Sequence, residues 1–199
     1  MEFVTFTEAW NELELGGVEP VEPSVPSPPP PPGVLPTLEL QLASSADRLR
    51  LGRLGDGLVE ESVISIDPGR VPEVLDHLLH KLHLAPVVVL PRTRWRAVLD
   101  ALTFSLAEHR GWQALEAEAT LVMNTRDGLV LGPADLRLLR TVLESLLAEA
   151  RSPEESLLVI PLSASLLIEA IPGEPASVRI EIAEAPLAKS VRELLAVLV

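Results

Sequence analysis

LLVI (157–160), SLLIEAI (165–171) and SVRIEIA (177–183) follow one another after a Leu-rich stretch, 133–150, and precede another, 187–198. The three runs are short, rich in Ile, Val and Leu, and separated by turn residues, the last two by Pro172-Gly173-Glu174-Pro175. Runs of this length and composition read as strands. The flanking stretches have a different period. Gly132-Pro133 opens a helix over Pro133–Ala150 with Leu136, Leu139, Leu143, Leu146 and Leu147 on one face. A closing helix over Leu187–Leu198 carries Leu187, Val191, Leu194, Leu195 and Leu198 in the same way. Strands in succession beside one-faced helices predict an α+β domain with two layers, amphipathic helices on a largely antiparallel sheet.

Working upstream, Ala114–Met123 is expected to be a strand, and Asp127-Gly128 a turn into Leu129–Leu131. Thr93 is placed to cap a helix over Arg94–His109, buried through Trp95, Val98, Leu99, Leu102 and Leu106. Val87–Leu90 is a buried strand, and Pro72–His83 a helix with Val71, Val74, Leu75, Leu78 and Leu82 in a stripe. Arg48–Ile66 reads as a hairpin turning at Asp56-Gly57, and Thr37–Ala43 alternates as a half-buried strand. Asp56–Val59 echoes Asp127–Val130, and Val88–Pro91 echoes Leu158–Pro161, at offsets of about 70. The echo raises a duplicated hairpin–helix–strand unit as an expectation against chance similarity in a Leu/Val-rich chain.

The organisation expected is a peptide at 1–18, a proline-rich tether at 19–36 and the α+β domain at 37–199. The first fifteen residues, MEFVTFTEAWNELEL, carry Phe3, Phe6, Trp10 and Leu13 at helical spacing, with Thr7 as a candidate cap. A helix so short needs a surface to fold against. That surface is either its own domain or a groove on a partner. Residues 19–36 hold nine prolines, including the run Pro28–Pro32. Extended as polyproline II they would reach about 55 Å. A spacer is preferred to a PxxP ligand because the stretch lacks a basic residue.

The net charge is −13, of which −6 falls within residues 1–33. Phosphate-backbone binding and anionic membranes both want positive surface, so neither nucleic acid nor membrane is an expected partner. There is no cysteine, hence no thiolate nucleophile, disulfide or Cys-ligated metal. No basic-then-apolar leader opens the chain, and a cytoplasmic setting is expected.

Three clusters carry candidate chemistry. His77, His80 and His83 lie beside Asp76 on one helix, on the side away from its apolar stripe; without further ligands they form a solvated face rather than a metal site. Arg92, Arg94 and Arg96 surround Trp95 where a strand meets a helix N-terminus, a place whose free N–H groups favour anions. Gly52-x-x-Gly55-x-Gly57 leads into another strand, so it is a turn and not a dinucleotide loop. No nucleophile elbow, HExxH pair or P-loop is present, no cofactor is implied, and an enzymatic role stays open. The leading expectation is a non-enzymatic adaptor, chaperone or assembly subunit. It would dock on another protein through Phe3, Phe6, Trp10 and Leu13, or associate with a second copy of itself. The alternative is a small-molecule sensor or enzyme with an anion site at Arg92, Arg94 and Arg96.

Overall fold

The computed structural model describes residues 1–21, 35–52, 62–108 and 110–199, without the side chains of 103–105. Among the described residues, ten strands and six helices run in the order β1 (Glu2–Val4), α1 (Phe6–Leu15), β2 (Val18–Pro20), β3 (Leu40–Leu42), β4 (Asp47–Gly52), β5 (Ser62–Ser65), α2 (Val71–Lys81), β6 (Val87–Pro91), α3 (Trp95–Leu106), α4 (Arg110–Ala119), β7 (Gly128–Leu131), α5 (Leu136–Glu149), β8 (Leu157–Pro161), β9 (Leu166–Ile171), β10 (Ser177–Ile182) and α6 (Ala185–Leu198). Eight strands form one sheet in the order β1-β7-β6-β8-β9-β10-β4-β5, and β2 and β3 form a separate ribbon. Every pairing in the large sheet is antiparallel except β4–β5. The chain is therefore a mixed α+β fold on a mostly antiparallel sheet.

Alternation along the strands divides the sheet into two faces. Leu49, Leu51, Val87, Val89, Leu129, Leu131, Val159, Ile168, Val178 and Ile180 point inward, into a core shared with α2 through α6. On the opposite face Val88, Leu90, Leu158, Ile160 and Leu167 meet Ala9 and Leu13 of α1 and Val18, Leu40 and Leu42 of the ribbon. The first layer is the expected one. The second is built from α1 and β2, which belong to the part of the chain expected to stand apart, together with β3 at the start of the expected domain.

Residues 1–21 are folded onto their own body. Phe3 pairs with Leu129 across β1 and β7, and its ring meets Trp95 edge-on at 5.4 Å. Leu13 is 1% exposed. A helix of ten residues is marginal alone, and the apolar sheet face supplies the missing burial. Its cap is Thr5, not the expected Thr7. The Thr5 hydroxyl accepts from the Glu8 N–H while the Glu8 carboxylate accepts from the Thr5 N–H. Gly128 lets α1 lie this close, because a Cβ there would come within 2.8 Å of Ala9 Cβ.

Residues 22–34, most of the expected tether, lie outside the described residues. Their flanks pair with each other: Val18 with Leu42, Glu19 with Gln41 and Pro20 with Leu40. The Val21 N–H donates to the Glu39 carbonyl at 2.9 Å.

Two local expectations are corrected. Residues 110–119 form α4 where a strand over Ala114–Met123 was expected. Trp112, Leu115 and Ala119 are buried at spacings of three and four, and the intervening Ala and Glu are good helix formers. β4 and β5 run parallel, with Leu49 opposite Ser62, and a two-residue hairpin turn cannot join parallel strands. The expected tip, Gly55 and Asp56-Gly57, lies outside the described residues, as does one landmark of the internal echo. Its other pair, Val88–Pro91 and Leu158–Pro161, forms neighbouring antiparallel strands.

Candidate functional site

Strand register continues the outer face beyond its apolar half. Leu90 on β6 lies opposite Leu158 on β8, which lies opposite Glu169 on β9; next come Arg179 on β10 and Arg50 on β4. One step along, Leu167, Glu181 and Arg48 make a second row. The face passes from aliphatic to charged within a single row. The charged members of these rows, Arg48, Arg50, Glu169, Arg179 and Glu181, line a groove of about 290 Å³ together with Arg92, just beyond β6, and Glu39 and Gln41 of the ribbon.

The groove is a network of ion pairs on two buried carboxylates. Glu169 is 6% exposed at its side chain; Arg179 Nη2 lies 2.9 Å and Arg92 Nη1 3.6 Å from its oxygens. Glu181, 3% exposed, accepts from the Leu42 N–H at 3.1 Å and lies 3.7 Å from Arg48 and 3.9 Å from Arg179. Arg179 also donates to the Leu40 carbonyl. Arg92 reaches up to the ribbon and donates to Glu39 at 2.7 Å, although the Glu39 side chain is 54% exposed. Buried charges need such partners, because an unpaired ion in low dielectric costs several kcal/mol. The pairing is incomplete: the Nε groups of Arg92 and Arg179 are buried without an acceptor.

The lining holds four arginines, at 48, 50, 92 and 179, against Glu39, Glu169 and Glu181. A second basin lined by Glu19, Gln41, Asp47, Arg48 and Ser62 adjoins it, sharing Gln41 and Arg48. Its far wall is fixed by Arg192 of α6, which donates to Asp47 Oδ1 at 2.6 Å and to the Ser62 hydroxyl at 3.2 Å. The Asp47 hydrogen bond raises the Arg192 pKa further above its ordinary value.

Of the four residues expected at an anion site around Trp95, one reaches this groove. Arg92 turns into it. Arg94 is exposed, and Arg96 is exposed beside Asp100 at 3.7 Å. Trp95 is buried and donates its indole N–H to the Asp127 carbonyl at 2.7 Å. The N-terminus of α3 has lost the donors that made it attractive for an anion, since Trp95 N–H and Arg96 N–H are taken by the carbonyls of Thr125 and Met123. Thr93 does not cap this helix; its hydroxyl donates to the Glu154 carbonyl. Arg126 braces the same loop by donating to the Thr93 carbonyl, and burial holds its pKa below the ordinary value.

The four residues expected to dock on a partner separate in the same way. Phe3 and Leu13 are engaged in cis, on the inner and outer faces of the sheet. Phe6 and Trp10 stack on each other at 6.0 Å and stay partly exposed. His80 Nδ1 lies 2.9 Å from the Asp76 carbonyl oxygen, and His83 takes a left-handed φ of 53° where α2 ends. Among the described residues no group of three or more His, Cys, Asp or Glu could hold a metal ion. No described helix is long and apolar enough to cross a membrane.

Arg48, Arg50, Glu169, Arg179 and Glu181 were visible in the sequence only as charges within otherwise apolar strands (DRLRLG, LLIEAI, SVRIEI), whereas Arg92 stood out as a candidate. No family model, curated protein or solved structure matches the chain.

Proposed function

We propose that this chain is a non-enzymatic sensor of a small anionic molecule, which it binds in the charged groove between β4, β9, β10 and the β2–β3 ribbon. The observation that carries this reading is the convergence of Arg92 and Arg179, with side chains 20% and 25% exposed, on the single carboxylate of Glu169 in one groove. A ligand carboxylate or phosphate supplies further acceptors, and arginine presents a fork matched to either group. The groove volume, about 290 Å³, suits a small metabolite-sized ligand. The absence of cysteine fits a cytoplasmic setting.

The test is calorimetric titration with inorganic phosphate and with small carboxylates, on the wild type and on Arg92→Gln. Arg92 is the arginine to change because Glu169 keeps Arg179 at 2.9 Å, and Glu39 is half in solvent. The substitution therefore leaves no buried charge alone. Saturable heats in the wild type that fall at least tenfold in affinity in Arg92→Gln support the reading. Equal affinities in the two proteins count against it.

A second reading, docking of a partner protein, draws on α1. Phe6 and Trp10 form a stacked aromatic pair that packs against the edge of the outer apolar cluster and stays partly exposed, and Leu15 at the end of the helix is 84% exposed. Aromatic pairs of this kind are common anchors at interfaces. A Phe6→Ala/Trp10→Ala protein that recovers the same partners as the wild type from a pull-down removes this reading.

A further inference from the structure

We infer that the ligand of the charged groove is an acidic sugar: its anionic group sits on Arg92 and Arg179, and its hydroxyl-bearing body lies in the adjoining basin. This rests on the anion-binding reading above and extends it to the class of ligand. The two concavities share Gln41 and Arg48 in their walls, and the basin adds about 520 Å³ to the groove. They meet along β3. Arg179 donates to the Leu40 carbonyl on the groove side, while the Gln41 amide reaches Glu19 on the basin side. Neighbouring residues are about 3.8 Å apart along the chain, so a single sugar-sized molecule spans both.

The unspent hydrogen-bonding groups of the basin select its occupant. Glu19 accepts from Gln41 Nε2 through one oxygen, at 2.9 Å, and its other oxygen has no partner among the described residues. The Gln41 amide keeps a second N–H. The Ser45 hydroxyl donates to the Asp47 carbonyl at 3.0 Å and keeps its lone pairs. Arg48 is 47% exposed and stands 3.7 Å from Glu181, beyond hydrogen-bond reach, so its donors are open as well. Asp47 and Ser62, both bound by Arg192, form a fixed wall behind these groups. Donors and acceptors are therefore mixed across one surface. A hydroxyl donates and accepts, and so uses both kinds. An ammonium would use only the acceptors, and a second anionic group only the donors. An apolar body would strip water from all of them and return nothing.

The experiment is calorimetric titration at constant ionic strength with matched probes: inorganic phosphate against glucose 6-phosphate, acetate against gluconate, and glucose alone. The two pairs separate a phosphate head from a carboxylate head, and glucose reports the body without either. Expected is at least tenfold tighter binding of one acidic sugar than of its parent anion. Glu19→Ala is expected to reduce that advantage three- to tenfold and to leave the parent anion within twofold of its wild-type affinity. If Glu19→Ala disturbs the ribbon and weakens the parent anion too, Ser45→Ala decides, because Ser45 is exposed and lies outside the ribbon. Acidic sugars that bind no tighter than their parent anions overturn the inference and leave the anion site standing. So does an advantage that survives both substitutions. Glucose binding as tightly as either acidic sugar overturns it as well, because the anionic group then contributes nothing. Absence of binding by every anion overturns the anion-site reading, and the inference with it.

Discussion

The two halves of the outer sheet face are built on contiguous strands and solve the same problem in opposite ways. Over β6 and β8 the outward residues are Val88, Leu90, Leu158 and Ile160, and the chain covers them with α1 and the β2–β3 ribbon. Over β9, β10 and β4 they are Glu169, Arg179, Glu181, Arg48 and Arg50, and the chain leaves a groove. An apolar face in water needs a cover. A charged face needs only internal pairing, and so stays open to a ligand. Leu167 and Glu169, two residues apart on β9, mark the border.

The sharpest way to break this contrast is to damage the cover. Leu13→Asp places an unpaired carboxylate against Leu90 and Leu158 and is expected to cost on the order of 5 kcal/mol or more, by chemical denaturation. The same substitution tests whether residues 1–21 are integral to the fold. If Leu13→Asp unfolds at the same denaturant concentration as the wild type, the segment is an appendage and the contrast fails.

On the charged half the expected loss is smaller and reversible by design. Arg179→Ala leaves Glu169 with Arg92 alone at 3.6 Å and is expected to cost about 3 kcal/mol. Replacing both partners, Glu169→Leu with Arg179→Leu, removes the stranded charge and is expected to recover most of that loss. A double variant as unstable as Arg179→Ala would mean that the ion pairs themselves stabilise the fold, rather than orienting groups for a ligand.

How much of this was legible in the sequence follows from the same contrast. Helices α2, α5 and α6 and strands β8 to β10 announced themselves because their apolar period matches the face they bury. Residues 114–123 misled because Ala and Glu alternate there as they would in a strand, while the burial that decides the matter, Trp112 to Leu115 to Ala119, is helical. The groove was hidden for another reason. Arg50 lies far along the chain from Glu169 and Arg179, which sit on consecutive strands, and only pairing register brings the three into one row. Arg92 was legible as a candidate, but its direction depended on Glu39, fifty-three residues earlier. The N-terminal peptide was legible as an amphipathic helix. Whether it docked in cis turned on the pairing of β2 with β3, which nothing local encodes.

Because that pairing brings Val21 and Glu39 together, the length of the connection between them is open to direct test. Replacing residues 23–36 with Asn-Gly keeps both sides of the ribbon and shortens the loop whose closure costs entropy. The gain expected is about 1 kcal/mol, read as a higher midpoint in urea with an unchanged slope. A loss of stability instead would show that residues 23–36 contribute contacts to the cover.

The smallest effect expected separates the two halves by pH. The Glu8 carboxylate accepts hydrogen bonds from the Thr5 hydroxyl and the Thr5 N–H, at 2.7 and 2.9 Å. These bonds hold its pKa below the ordinary carboxylate value of 4.5. A depressed carboxylate contributes stability that is present above the unfolded pKa and is lost as pH falls through the folded one. Acid therefore weakens the start of α1, the cover's own first turn. Hydrogen exchange across α1 is expected to speed up, relative to β8 and β9, as pH drops below about 4.5 once the intrinsic rate is corrected for. Glu8→Gln should make that ratio independent of pH while leaving the sheet amides alone. If the ratio shifts equally in both proteins, the acid response of the cover comes from elsewhere, and the capping box does not distinguish the apolar half from the charged one.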